Sequence, residues 1–115
     1  MNIQIFGTKK SNDTKKAQRY FKERRIPFQF VDLREKEMSP GELKSVMQAV
    51  GGLEQLLDPK AKDQEALLLI RYSPEETKFG KLLENQQLLR LPVVRNGKKA
   101  ACGYCPSVWK SWETE

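Results

Sequence analysis

The sequence predicts an α/β protein in which a β-α-β unit is followed by several helices, a β-hairpin and a final helix. Three observations predict it. Asn2-Ile3-Gln4-Ile5-Phe6 and Phe28-Gln29-Phe30-Val31-Asp32 alternate at the strand period and flank a stretch of helical period. Asn96-Gly97 separates two further short apolar runs, the strongest local signal for a hairpin. Between these two halves, helix starts and stops recur without a strand pattern.

Taken in order, the first strand turns through Gly7-Thr8-Lys9-Lys10 and enters a helix at Ser11-Asn12-Asp13-Thr14. That helix runs over about Asn12–Arg25, with Ala17, Tyr20 and Phe21, extended by Arg24, on one side. Ile26-Pro27 ends it, because proline disfavours helix in the residue before it. Strand, helix and strand in succession favour a parallel βαβ unit. Ser39-Pro40-Gly41-Glu42 starts the next helix, with serine at the cap, proline in the first turn and a carboxylate three residues on. Leu43, Val46, Met47 and Val50 form its buried stripe, and Gly51-Gly52 stops it. Leu53 to Leu57 reads as one short helical turn, broken by Asp58-Pro59. Further helices are expected at Gln64–Arg71 and Pro74–Leu83, the second capped by Ser73. Leu91 to Arg95, a turn at Asn96-Gly97 and Lys98 to Cys102 complete the hairpin. Pro106 opens the last helix, which carries Val108, Trp109 and Trp112. One tryptophan is expected in the core and the other partly exposed, where it would anchor a partner. The order is the thioredoxin plan with a helical insertion between the second and third strands, as one domain over residues 1–115.

A chain of 115 residues buries a core without staples, and two cysteines are too few for a disulfide framework. No apolar run approaches a membrane span, and charges follow directly behind the first strand, unlike a secretory signal. A reducing, cytoplasmic location is the expectation, with no membrane contact. Histidine is absent, which removes the commonest general base and most zinc sites, so no metal is expected. The net charge of +6 is unevenly placed. Residues 1–25 hold Lys9, Lys10, Lys15, Lys16, Arg19, Lys22, Arg24 and Arg25 against Asp13 and Glu23, an excess equal to that of the whole chain. Such a focused field suits an acidic protein surface, a nucleic-acid backbone or a small oxyanion, and a solvated helix face is the plain alternative.

The motifs in this order resemble the arsenate reductase and Spx family. The resemblance rests on Ile5-Phe6-Gly7 followed by Ser11-x-x-Thr14-Lys15-Lys16-Ala17, on Ile26-Pro27-Phe28, on Ser39-Pro40-x-Glu42-Leu43, on Leu88-Leu89-Arg90-Leu91-Pro92-Val93-Val94, and on Gly103-Tyr104. It covers Ile3 to Trp112 and implies a thioredoxin-like fold. In relatives that reduce arsenate, a cysteine opens the first helix and attacks the oxyanion while arginines clamp its oxygens. Some Spx-type relatives carry a second cysteine three residues on. By the resemblance those two positions fall on Ser11 and Thr14, and the family's arginine before its proline falls on Leu91, with Arg90 one residue early. A second family arginine falls on Cys105, and a third near Asp58 or Lys60. Pro92 takes the place of the cis-proline that faces the reactive turn in this fold. The Gly51-Gly52 region corresponds to one through which Spx-type relatives contact RNA polymerase.

These replacements have chemical consequences. A helix N-terminus activates cysteine by stabilising thiolate, a form serine does not usefully reach at neutral pH. Serine does not cycle through a disulfide, and leucine removes both the charge and the fork geometry of arginine. The residues present therefore do not support ordinary arsenate reduction, and no catalytic residue is assigned. Lys10, Ser11, Asn12 and Lys15 remain a candidate anion site at a helix start, beside the plainer reading that Ser11 or Asp13 caps the helix. Cys102-Gly103-Tyr104-Cys105 is either a packing pair or, if Gly103-Tyr104 turns tightly, a redox pair. The expected function is a non-catalytic or regulatory protein that binds a protein partner or a small anion, without a cofactor. RNA polymerase is the partner the Spx resemblance implies. The alternative is a thiol oxidoreductase or glutathione-dependent reductase using Cys102 and Cys105. Direct nucleic-acid binding ranks last, because neither a recognition helix nor an aromatic stacking array is evident.

Overall fold

The computed structural model describes residues 1–114 of the chain. Its elements are β1 (Ile3–Gly7), α1 (Asn12–Glu23), β2 (Phe28–Asp32), α2 (Pro40–Val50), a 3-10 turn at Leu53–Leu56, α3 (Gln64–Arg71), α4 (Glu75–Glu84), a second 3-10 turn at Gln86–Leu88, β3 (Val93–Asn96), β4 (Lys99–Cys102) and α5 (Pro106–Glu113). The strands form one mixed sheet in the order β2-β1-β3-β4. β1 runs parallel to β2, with Ile3 opposite Phe28, and antiparallel to β3, with Ile5 opposite Val94. β3 and β4 pair antiparallel. This is the thioredoxin-like plan, with α2, α3 and α4 inserted between β2 and β3.

The two-residue period of the strands sorts the core onto both sides of the sheet. Ile3, Ile5, Val94 and Ala101 pack with Ala17 and Phe21 of α1 and with Trp109 and Trp112 of α5. Phe6 and Val93, one residue out of phase, enter the larger cluster with Leu43, Val46, Leu56, Leu67 and Leu82. Local signals set the helix ends. Ser39 Oγ accepts from the Glu42 N–H while Glu42 Oε1 accepts from the Ser39 N–H, a reciprocal cap. Gly51, at φ +92°, stops α2 in the left-handed conformation.

α1 stops at Glu23, short of the expected Arg25. Arg25 itself takes φ +58°, and the Ile26 N–H reaches back to the Phe21 carbonyl at 2.9 Å.

Three local expectations are corrected. Ser73 does not cap α4, which begins at Glu75 behind Pro74. Its hydroxyl donates to the Leu69 carbonyl of α3 and accepts from Lys81 Nζ at 2.7 Å, so it is not free to cap the next helix. The hairpin turn lies one residue later than Asn96-Gly97: Asn96 pairs with Lys99, leaving Gly97-Lys98 as the turn, with Gly97 at φ +61°. Asn96 stays in the ladder, and its side chain accepts the Asn2 N–H. Both tryptophans are buried, at 0% and 6% exposure, so neither presents a surface anchor. Three aromatic neighbours, Tyr20, Phe21 and Tyr104, close over Trp109 together with the sheet, and α5 turns Val108 outward instead.

Candidate functional site

The turn from β1 into α1 is built by a close approach. Gly7 lies against Thr14: a Cβ on Gly7 would stand 2.6 Å from Thr14 Cγ2. Thr14 is fully buried, so the first turn of α1 rests directly on the end of β1. Ser11 then organises the helix start. Its N–H donates to the Thr8 carbonyl at 3.2 Å, its Oγ accepts from the Thr14 N–H at 3.2 Å, and its carbonyl accepts from the Lys15 N–H. The hydroxyl is therefore engaged as the N-cap. The N–H groups of Asn12 and Asp13 have no protein acceptor among the described residues. The Asp13 carboxylate shares that first turn and meets Lys16 loosely at 4.0 Å.

A cleft of about 590 Å³ opens beside this turn. Lys10, Ser11 and Asp13 form one wall, Arg34 and Glu37 follow from the end of β2, and Asp58, Lys60, Lys62 and Asp63 come from the segment before α3. Leu33, Leu89 and Leu91 add apolar surface. Its four cationic side chains face four carboxylates, so the field inside is nearly balanced. Leu91 precedes Pro92 across a cis peptide bond, and Pro92 is buried. Gln86 ties the cleft's far wall to the segment before α2: its Oε1 accepts from the Met38 N–H at 2.8 Å and its Nε2 donates to the Met38 carbonyl at 2.9 Å. The fold thus brings Lys10 and Ser11 together at the cleft. Asn12 and Lys15 do not line it and stand exposed on α1. Arg34, Glu37, Lys62 and Asp63 were not singled out in the sequence. Only the docking of the insertion against the sheet gathers them.

The two thiols are close in sequence but serve different sides of the sheet. Cys102 ends β4 and packs against the larger cluster, whereas Cys105 packs with the α1–α5 cluster. Between them Gly103 takes φ +81° and its N–H donates to the Pro92 carbonyl at 2.9 Å. Both cysteines are free thiols, and Cys105 Sγ donates to the Cys102 carbonyl at 3.1 Å. Burial pushes Cys102 up to about 12, against a smaller opposing pull from the Arg90 guanidinium. Burial also raises Cys105, again opposed by Arg90. The Arg90 stem lies over Gly103, where a Cβ would meet its Cδ at 3.3 Å. This arginine therefore reaches the thiol pair although its place in the sequence is one residue early.

A second hollow of about 290 Å³ lies on the opposite flank of α1, lined by Lys16, Arg19, Tyr20, Glu23 and Tyr104. Tyr104 stands edge-on to Trp109 at 5.5 Å, and Lys16 Nζ lies 5.6 Å over its ring. Arg24 stacks 4.4 Å over Tyr20 and pairs with Glu113 at 3.1 Å. Among the described residues, no three Cys, Asp or Glu side chains gather as a metal-ligand set.

The family model of the ArsC family matches residues 6–112. An ArsC-family-related protein from Bacteroides fragilis superposes with a TM-score of 0.84 at 17% identity, covering 96% of this chain and 97% of that one. Arsenate reductase from Vibrio cholerae gives 0.82 at 20% identity, over 96% and 97%. An arsenate reductase (ArsC) related protein from Brucella melitensis gives 0.63 at 20%, over 100% and 97%. At such identities the structural likeness is one of fold. No curated protein matches the sequence. Among the described residues, no helix is long and apolar enough to cross a membrane.

Proposed function

The chain belongs to the ArsC family, and from that premise we propose a binding or regulatory member that docks a protein partner and does not run thiol chemistry. One observation carries the reading: no activated thiol stands at the turn between β1 and α1. A serine hydroxyl caps the helix there, and the only two thiols in the chain are partly buried and pushed up. A nucleophilic cysteine needs the reverse, a thiol pulled down toward neutrality by a helix start or a cation. The balanced charge of the cleft favours a protein surface over a small oxyanion, because paired carboxylates cancel the attraction an oxyanion would need.

A small anion at Lys10, Ser11, Asn12 and Lys15 is the second reading. It is favoured by the unpartnered N–H groups of Asn12 and Asp13 and opposed by the Asp13 carboxylate. RNA polymerase, from the Spx resemblance, is the first protein partner to test, and a cytoplasmic setting suits two unpaired thiols. The rival is an oxidoreductase or glutathione-dependent reductase working through Cys102 and Cys105. Turnover of arsenate with glutathione, and of small disulfides with dithiols, separates the two. The proposal expects rates equal to buffer. Turnover that disappears in Cys102→Ser/Cys105→Ser would establish the rival instead, and turnover that disappears in Ser11→Ala would refute the silent reading without supporting the rival.

A further inference from the structure

The chain's whole positive excess lies in its first 25 residues, and the structure places most of it on one surface. Thr14, Ala17 and Phe21 bury the inner side of α1, which turns Lys15, Lys16, Arg19 and Lys22 outward, all exposed. Lys15, Arg19 and Lys22 form a row about 11 Å long at 1.5 Å per residue. None of the three has an acidic partner among the described residues. Some cations elsewhere are paired, Arg71 with Glu54 at 2.9 Å and Lys78 with Glu75 at 3.0 Å, and what sets the α1 row apart is its spacing. A helix face that is merely solvated gains from alternating signs, whereas like charges three and four apart repel. This row is built from the repelling spacing.

The hollow on that face supplies a second element. Tyr104 is 44% exposed, yet its ring is held by the edge contact with Trp109 and by Lys16 above it. A rigid, half-open ring beside Tyr20 is a seat for one apolar side chain, with little ordering cost. Lys16 and Arg19 at the rim suit carboxylates on either side, and the Glu23 carboxylate suits a backbone N–H.

We propose that the outward face of α1, with Tyr104 at its edge, docks an acidic segment of a partner protein that carries one aromatic or aliphatic side chain into this hollow. The inference rests on the binding reading above and names its surface and the chemistry of its partner. A nucleic acid fits less well. Glu23 stands inside the hollow where phosphate would approach, and its carboxylate repels a polyanionic backbone.

The test uses the full chain and a short fluorescein-labelled peptide of Asp and Glu with one central Phe, read by anisotropy at moderate salt. Lys15→Glu/Arg19→Glu/Lys22→Glu is expected to weaken binding at least about tenfold. Lys15→Arg/Lys22→Arg keeps it, and the same reversal placed at Lys36, Lys44 and Lys98 leaves it near wild type. Tyr104→Ala weakens the Phe-bearing peptide about three- to tenfold and leaves the Phe-free peptide unchanged. Circular dichroism confirms that each variant is folded. Three results would overturn the proposal: the α1 reversal binds as wild type, the distant reversal weakens binding equally, or an oligothymidylate of matched charge binds more tightly than the peptide. None of these readouts involves turnover, so failure here is distinct from failure of the catalytically silent reading.

Discussion

Replacing Gly7 with alanine tests how the turn between β1 and α1 is positioned. The new Cβ would lie 2.6 Å from Thr14 Cγ2 and 3.0 Å from Thr14 Cβ, well inside ordinary contact. Neither side yields easily. Thr14 is fully buried and β-branched, with few rotamers available. Gly7 is paired to Asp32 across the parallel ladder, and its carbonyl accepts the Leu33 N–H at 2.9 Å. Relief requires the first turn of α1 to lift from β1. Overpacking of this kind costs about 1–3 kcal/mol, and two crowded carbons place Gly7→Ala in the upper half of that range. Adding Thr14→Ala removes Cγ2 and Oγ1 but leaves the Cβ contact, so the double variant recovers about 1–2 kcal/mol without full rescue. Thr14→Ala alone is close to neutral, because the lost methyl is offset by removing a buried hydroxyl that has no partner. Urea unfolding followed by circular dichroism reads all four corners of the cycle. A Gly7→Ala protein within about 0.5 kcal/mol of wild type, or a double variant with no recovery, would refute the contact as the support of this turn.

Two further outcomes follow from the helix ends. Ser11→Ala should cost about 1 kcal/mol by denaturant unfolding, since it strips the acceptor from the Thr14 N–H, while Ser11→Asp keeps the cap and most of the stability. Arg25→Gly should raise stability by about 0.5–1 kcal/mol, because φ +58° is strained for a side-chain-bearing residue and open to glycine; a thermal midpoint that falls would contradict it.

Most of the fold was legible because its signals are local. The serine cap, the following proline and the Glu42 carboxylate fixed the start of α2, and Gly51 fixed its end. Alternation in Ile3 to Phe6 was enough to assign a strand, while the burial of Ile5 and Phe6 on its two opposite sides came only with the fold. The errors came where a local signal had a competing tertiary partner. Ser73 looked like a cap, but the α3 carbonyl of Leu69 and Lys81 claimed its hydroxyl first. One of Trp109 and Trp112 looked partly exposed by spacing, yet α5 packs deeply enough on the sheet to bury both indoles. The cleft was the least legible part. Lys10 and Ser11 were found from the helix start alone, but Arg34, Glu37, Lys62 and Asp63 carry no motif. Their meeting depends on Gln86 clamping Met38, a contact across 48 residues of sequence. Tyr104 was legible only as part of the Gly103-Tyr104 motif, since the setting of its ring comes from Lys16 and Trp109 on two different helices.

The absence of an activated sulfur is best measured by alkylation of the native chain with iodoacetamide across pH, with each site resolved by mass spectrometry. Cys102 and Cys105 should both react more slowly than free cysteine at pH 7, with rates still climbing where a free thiol has levelled off and Cys102 the slower of the two. A thiol at either position that titrates below pH 7 would contradict the account.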